Sequence, residues 1–263
     1  MKGAEREIGA GPSDLDMLRG LLARLGNLLL PPRCLSCSAA LDRHHAFCAD
    51  CWAALDFIAE PYCAVTGEPF AFDPGSAETI SASAAAHPPV YKRARAALLY
   101  TDLAARLVSR LKYGDRLELV PAFARLMAQA GGALVKEADL ICPVPLHARR
   151  LFWRRFNQSA ELARALSKLT GVPCDPACLI RHRATRAQVG LSAAARRRNV
   201  AGAFLVPQRK AAYLTGRRIL LIDDVMTTGA TVEAAARALL KAGAAEVAVL
   251  TLARVAAREA PPI

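Results

Sequence analysis

Arg218–Thr231 reads RILLIDDVMTTGAT. Ile219, Leu220, Leu221 and Ile222 form an unbroken apolar run, as in a central parallel strand buried on both faces. Asp223 and Asp224 fall where that strand should end, the edge at which open α/β sheets bind ligands. Thr227, Thr228, Gly229, Ala230 and Thr231 then supply hydroxyls and a tight turn, and Val232 to Lys241 reads as a helix stopped by Gly243. The first turn of a helix has unpaired N–H groups and the positive end of the peptide dipoles, so it stabilises a phosphate, and glycine lets the main chain approach. Two carboxylates beside a phosphate need compensation. Vicinal ribose hydroxyls donate hydrogen bonds to such a pair, and a magnesium ion offsets the remaining charge.

Strand, acid pair, turn and helix in this order resemble the binding loop of the type I phosphoribosyltransferases. That resemblance implies that Asp223 and Asp224 hold the ribose of phosphoribosyl diphosphate and that Thr227–Thr231 hold its 5′-phosphate. An ordinary threonine-rich turn leaves the acid pair unexplained. A receiver-type phosphoacceptor site also places acids at strand ends but has no use for the TTG turn.

Outward from the motif, strands and helices alternate as in a mostly parallel sheet flanked by helices. Strands are expected at Ala96–Tyr100, Asp139–Val144 and Val247–Leu252, with short ones closing at Leu179 and near Phe204. Helices are expected at Leu103–Lys112, Arg116–Ala130 and Ser159–Leu169, with Gly114 and Gly171 as stops. Two basic clusters fall between these elements and are expected as loops: PVPLHARRLFWRRFNQ (Pro143–Gln158) and RHRATRAQVGLSAAARRRN (Arg181–Asn199). If the sheet is parallel, the first leaves the edge that carries Asp223 and brings Arg149, Arg150, Arg154 or Arg155 toward a pyrophosphate or a nucleic-acid strand. The second has the character of a cover that excludes water from an oxocarbenium-like transition state. Trp153 and Phe156 among the arginines suit either base stacking or anchorage in the core.

The whole chain has 35 Lys and Arg against 23 Asp and Glu, a formal charge of +12 that favours an anionic partner. Its 263 residues, 54% of them apolar, suffice for one α/β core and a smaller attachment. Cys34 and Cys37 (CLSC) and Cys48 and Cys51 (CADC) are two CxxC pairs whose spacing suits one tetrahedral structural zinc ion. Disulfides would require an oxidising compartment. Residues 15–30 (LDMLRGLLARLGNLLL) carry Asp16, Arg19 and Arg24 and follow Glu5, Glu7 and Asp14, which argues for an amphipathic helix rather than a secretion signal. No stretch has the roughly twenty uncharged apolar residues of a membrane span, and a cytoplasmic location is expected. The expected organisation is a tail and helix over 1–30, a zinc finger over 31–70, a linker over 71–89 and the α/β domain over 90–263.

PPRCLSC, CADC and PYC before GEP, then LKYGDR, PVPLH, RRFNQ, QVGL, RRRNVAGAF and LLIDDVMTTGAT together resemble the ComF-type competence proteins. The resemblance implies a small N-terminal four-cysteine zinc finger joined to a type I phosphoribosyltransferase-like open parallel sheet, an α/β fold. It also implies a role with single-stranded DNA, and with DNA-uptake or recombination proteins, in natural transformation. The alternative is a catalytically active phosphoribosyltransferase, a pentosyltransferase acting on a nitrogenous acceptor. Two departures stand out. Thr66 replaces a cysteine in CAVT, and Arg155 stands where a glycine usually precedes Phe156 and Asn157.

Overall fold

The structure, a computed structural model, describes residues 31–114, 116–184 and 193–256. The leucine-rich stretch expected as a helix at 15–30 lies outside the described residues, as do residues 185–192 of the second basic cluster. The helices are α1 (Ala49–Ala53), α2 (Ala82–Ala86), α3 (Asp102–Tyr113), α4 (Val120–Ala130), α5 (Gly132–Glu137), α6 (Ala148–Arg154), α7 (Gln158–Thr170), α8 (Ala193–Val200), α9 (Gln208–Leu214) and α10 (Ala230–Lys241). The strands are β1 (Arg93–Leu99), β2 (Leu140–Pro143), β3 (Ile180–Arg181), β4 (Phe204–Leu205), β5 (Arg218–Met226) and β6 (Glu246–Arg254).

Four strands form one sheet in the order β1-β6-β5-β2, every neighbouring pair parallel, as the alternation of elements predicts. Ile219, Leu220, Leu221 and Ile222 are all buried because helices cover both faces. Ile219, Leu221, Val247 and Val249 join Val232, Ala235, Ala236 and Leu239 of α10 in one core cluster. The other face receives α4 and α7. β5 runs past the expected end at Ile222 because Asp223 and Val225 keep pairing with Thr251 and Ala253 of β6. β2 stops at Pro143, opposite Ile222. From Asp223 onward β5 therefore has a neighbour on one side and an opening on the other, at the carboxyl edge of the sheet.

Both basic clusters contain a helix where a loop was expected. α6 starts where the His147 side chain accepts a hydrogen bond from Arg149 N at 3.3 Å, and it ends at Arg155, which is left-handed at φ 62°. Neither glycine nor proline interrupts ARRLFWR, so nothing in the segment opposes a helix. The expected helix at Arg116–Ala130 is split into a 3-10 turn (Leu117–Leu119) and α4, with Pro121 in the first turn of α4 where its missing N–H costs nothing.

The chain divides into two compact units, Met1–Ala49 and Asp50–Ile263. The stretch read as a linker, 71–89, contains α2, and Ala64 N donates to Thr79 O at 2.9 Å within the second unit.

Candidate functional site

The carboxyl edge holds a cavity of about 340 Å³. Asp223, Asp224, Thr227, Gly229 and Thr231 line it, together with Arg150 and Arg154. Gly229 takes φ 77° as the N-cap of α10, a left-handed turn that aims the first amides of the helix outward. Ala230 is buried as the first residue of that helix, and Thr228 faces the other side of the turn. Arg149 and Arg155, both exposed, are not among the residues that line the cavity.

Several residues that sequence reasoning did not assign complete the site. Lys112, at the end of α3, pairs with Asp224 at 3.0 Å. Burial opposes its charge, but Asp224 and then Asp223 outweigh it and hold its pKa above the ordinary value. Ser159, in the first turn of α7, donates from Oγ to Asp223 at 2.8 Å, and Asp224 N donates to the same oxygen at 2.9 Å. Burial and then the charge of Asp224 raise the Asp223 pKa to about 7, against the lowering effect of these hydrogen bonds and of Lys112. Gln158 is 1% exposed and lines the cavity, and its Nε2 has no hydrogen-bond partner among the described residues. Such a buried donor is costly unless an occupant of the cavity accepts from it. Arg181 is buried at the wall, its pKa lowered to about 10 by burial and by the neighbouring Arg150. Lys112, Arg150, Arg154 and Arg181 outnumber the two carboxylates, so the cavity favours an anion with hydroxyl donors at one end. Lys112 lay in the LKYGDR motif without an assigned role; Ser159 and Gln158 gave no signal, because their meaning arises where α7 meets β5.

Beside the cavity, α6 displays Phe152 and Trp153, which are 80% and 82% exposed and meet edge to face at 5.9 Å between centroids. The exposure of Trp153 excludes the core-anchor reading, whereas Phe156 is half-buried. Arg154 donates to Tyr113 Oη at 2.9 Å and lies over the Tyr113 ring at 4.8 Å.

The sulfurs of Cys34, Cys37, Cys48 and Cys51 all lie within 4.8 Å of one another. A tetrahedral ion with Zn–S near 2.3 Å places its sulfurs about 3.8 Å apart, so these four residues fit zinc. Burial raises the Cys34 pKa, but N–H groups of Cys37, Cys48 and Ser36 outweigh it and bring the thiol down to about 6, toward the thiolate that a metal requires. A second loop repeats this construction. Arg33 bridges Ala40 and Tyr62 bridges Pro69; Cys34 N donates to Ala39 O and Cys63 N to Glu68 O; Ser38 N donates to Cys34 O and Gly67 N to Cys63 O. The turn residues match as well, Ser38 at φ 66° and Gly67 at φ 65°. Cys48 N donates to Cys34 Sγ at 3.3 Å, and Ser81 N donates to Cys63 Sγ at 3.3 Å. The positions equivalent to Cys34, Cys37, Cys48 and Cys51 are therefore Cys63, Thr66, Ser81 and Ala84. The second loop keeps the ribbon backbone with a single thiol.

Over 172 residues the chain is 38% identical to DNA utilization protein YhgH of Salmonella typhimurium, covering 64% of this chain and 74% of that one. It is 33% identical over 160 residues to competence protein F of Haemophilus influenzae, covering 59% and 69%. The chain belongs to this YhgH and competence F family. Competence protein ComFC of Bacillus subtilis matches at 30% identity over 162 residues, covering 61% of this chain and 63% of that one. A double zinc ribbon domain matches residues 25–83 and a phosphoribosyl transferase domain matches residues 158–263. The fold is thus a phosphoribosyltransferase-type parallel sheet. The ribbon match spans both loops, so in this member of the YhgH and competence F family one ribbon of the two has a complete cysteine set. Arg155 takes φ 62°, a left-handed conformation that glycine adopts without the Cβ clash that arginine incurs.

Proposed function

We propose that this protein binds phosphoribosyl diphosphate with magnesium in the cavity at the end of β5, and that it serves the uptake or processing of single-stranded DNA in the cytoplasm. The observation that carries the ligand assignment is the convergence of Asp223, Asp224, Thr227, Gly229 and Thr231 on one cationic cavity. Asp223 and Asp224 accept hydrogen bonds from the ribose hydroxyls, the amides at the start of α10 hold the 5′-phosphate, and Arg150 and Arg154 face the pyrophosphate. Asp223 and Asp224 would hold a magnesium ion, which would offset the negative charge of the diphosphate.

This reading has a pH signature. Ionised Asp223 accepts from two ribose hydroxyls and binds them more strongly than the protonated form, and its pKa is raised to about 7. In the unfolded chain it ionises near 4, so between about 4 and 7 the folded state holds the extra proton and Asp223 costs stability as pH rises. Ligand affinity runs the opposite way, increasing as pH passes through about 7 and levelling above it. Calorimetric titrations from pH 5.5 to 8.5 measure this, and an affinity that falls across that range contradicts the assignment.

The DNA role rests on Phe152 and Trp153 standing exposed among arginines on α6, a surface suited to stacked bases and phosphates. Trp153→Ala is expected to weaken single-strand binding by about 1–3 kcal/mol without affecting phosphoribosyl diphosphate. Fluorescence anisotropy against salt reads both this loss and a slope of about −0.7 per phosphate contact. A flat salt response removes the nucleic-acid role. Catalysed transfer of the phosphoribosyl group to a nitrogenous acceptor is the second reading, favoured by the arginines on the pyrophosphate side, and pyrophosphate release dependent on an added acceptor would establish it.

A further inference from the structure

No residue of α6 is buried, so core packing contributes nothing to the order of its seven residues. A helix this short does not hold in isolation, because helical order in proteins comes mainly from tertiary packing. Polar contacts anchor its ends: the His147 cap on Arg149 N, and Arg154, which donates to Tyr113 Oη at 2.9 Å and lies over that ring. Like charges oppose the docked position. Arg150 stands close enough to the buried Arg181 that its charge, added to burial, lowers the Arg181 pKa to about 10. Arg154 brings a third guanidinium into the same cavity. An anion in the cavity turns this crowding into attraction, so an occupant there favours the ordered, docked helix.

Two faces of α6 meet different ligands. Arg150 and Arg154, spaced i and i+4, are half-buried and line the cavity. Arg149, Phe152 and Trp153, spaced i, i+3 and i+4, form a separate, exposed face. Each set stands together only while the segment is helical. We propose that α6 couples the two ligands: phosphoribosyl diphosphate in the cavity orders the helix and tightens the binding of a single strand, and a bound strand tightens the diphosphate by the same factor. The proposal rests on the ligand and DNA readings above and adds their mutual regulation. Whichever ligand binds first supplies the ordering of α6, and the second finds the helix already ordered. Direct charge effects have the opposite sign, since a bound diphosphate weakens the positive field that attracts a strand. The sign of the coupling therefore separates the two mechanisms.

Anisotropy with a labelled strand of about twelve nucleotides, without and with saturating phosphoribosyl diphosphate and magnesium, measures the coupling in one direction. Calorimetry of phosphoribosyl diphosphate, without and with saturating strand, measures it in the other. The parent should show about fivefold tightening in each, the equality being a requirement of linkage. Leu151 is exposed and is not among the residues that line the cavity, so Leu151→Gly loosens the helix without removing a ligand contact. It should weaken each ligand alone by about threefold and enlarge the coupling by a similar factor, while affinities measured with the other ligand saturating stay near those of the parent. Tyr113→Ala, which removes the anchor of Arg154, should act in the same direction. Affinities that ignore the other ligand overturn the proposal, as does mutual weakening, which would mean that strand and diphosphate compete for the cavity arginines. A Leu151→Gly protein with parental affinities and coupling overturns it as well. A parent that fails to bind one ligand by itself sinks the corresponding reading under "Proposed function", and the coupling with it.

Discussion

Chelation is expected to release one equivalent of zinc per chain, not two, and to unfold the segment around Cys34–Cys51. Four sulfurs within 4.8 Å of one another are a full set of ligands for a closed structural site. Binding by such sites is worth about 10–16 kcal/mol at neutral pH, and in a segment this short it supplies most of the folding free energy. The second loop answers differently because its equivalents are Cys63, Thr66, Ser81 and Ala84. One thiol cannot hold a structural ion, and the Cys63 sulfur already accepts from Thr66 N at 3.4 Å and Ser81 N at 3.3 Å. Its backbone repeats the first ribbon without needing the metal. Cys34→Ser should lower zinc content toward zero, and Cys63→Ser should leave it at one. Metal analysis with far-UV circular dichroism before and after chelation checks both; two equivalents, or a metal-free protein with linked cysteines, contradicts the assignment.

Lys112→Met is expected to destabilise the protein by about 3 kcal/mol, because it leaves Asp224 charged and largely buried without its partner. The pair is mostly shielded, with side chains 20% and 12% exposed, so solvent screening does little to soften the loss. For a chain of this size the melting temperature should fall by roughly 10 °C. Lys112 also holds the Asp223 pKa down, so its removal should raise that pKa further and move the rise in ligand affinity to higher pH. Combining Lys112→Met with Asp224→Asn removes the stranded charge and should recover most of the stability. Thermal melts of the parent, the single mutant and the double mutant decide the matter, and a single mutant within about 2 °C of the parent contradicts a coupled pair.

The parts of this architecture that are local in sequence were legible before the structure. Ile219–Ile222 announced a buried strand, Gly114 and Gly171 marked helix stops that the structure retains, and the TTG turn announced the start of α10. α6 was missed because four arginines within ten residues read as a solvated loop, although the segment contains no helix breaker. Arg150 and Arg154 reach the cavity and Arg149 and Arg155 do not, a distinction set by which face of α6 turns inward. Lys112 and Ser159 were obscure for a deeper reason: each acquires its partner from a strand at least 64 residues away in sequence, and no local pattern records that meeting. Gln158 was hidden in the same way, since its place on the cavity wall depends on where α7 docks. The second ribbon was half-legible. Cys63 and Thr66 drew attention, but Ser81 and Ala84 carry no thiol and lay in a stretch whose alanines and serines read as a linker.

The ribose assignment is tested most directly by calorimetric titration of the parent, Asp223→Asn and Asp224→Asn with phosphoribosyl diphosphate and magnesium at pH 8. The parent should bind one ligand per chain, and each variant should lose about 1.5–3 kcal/mol, or more than tenfold in affinity, through the loss of a charge-assisted hydrogen bond. A parent that gives no binding heat, or variants that bind as tightly as the parent, would show that the aspartate pair does not hold a phosphoribosyl group.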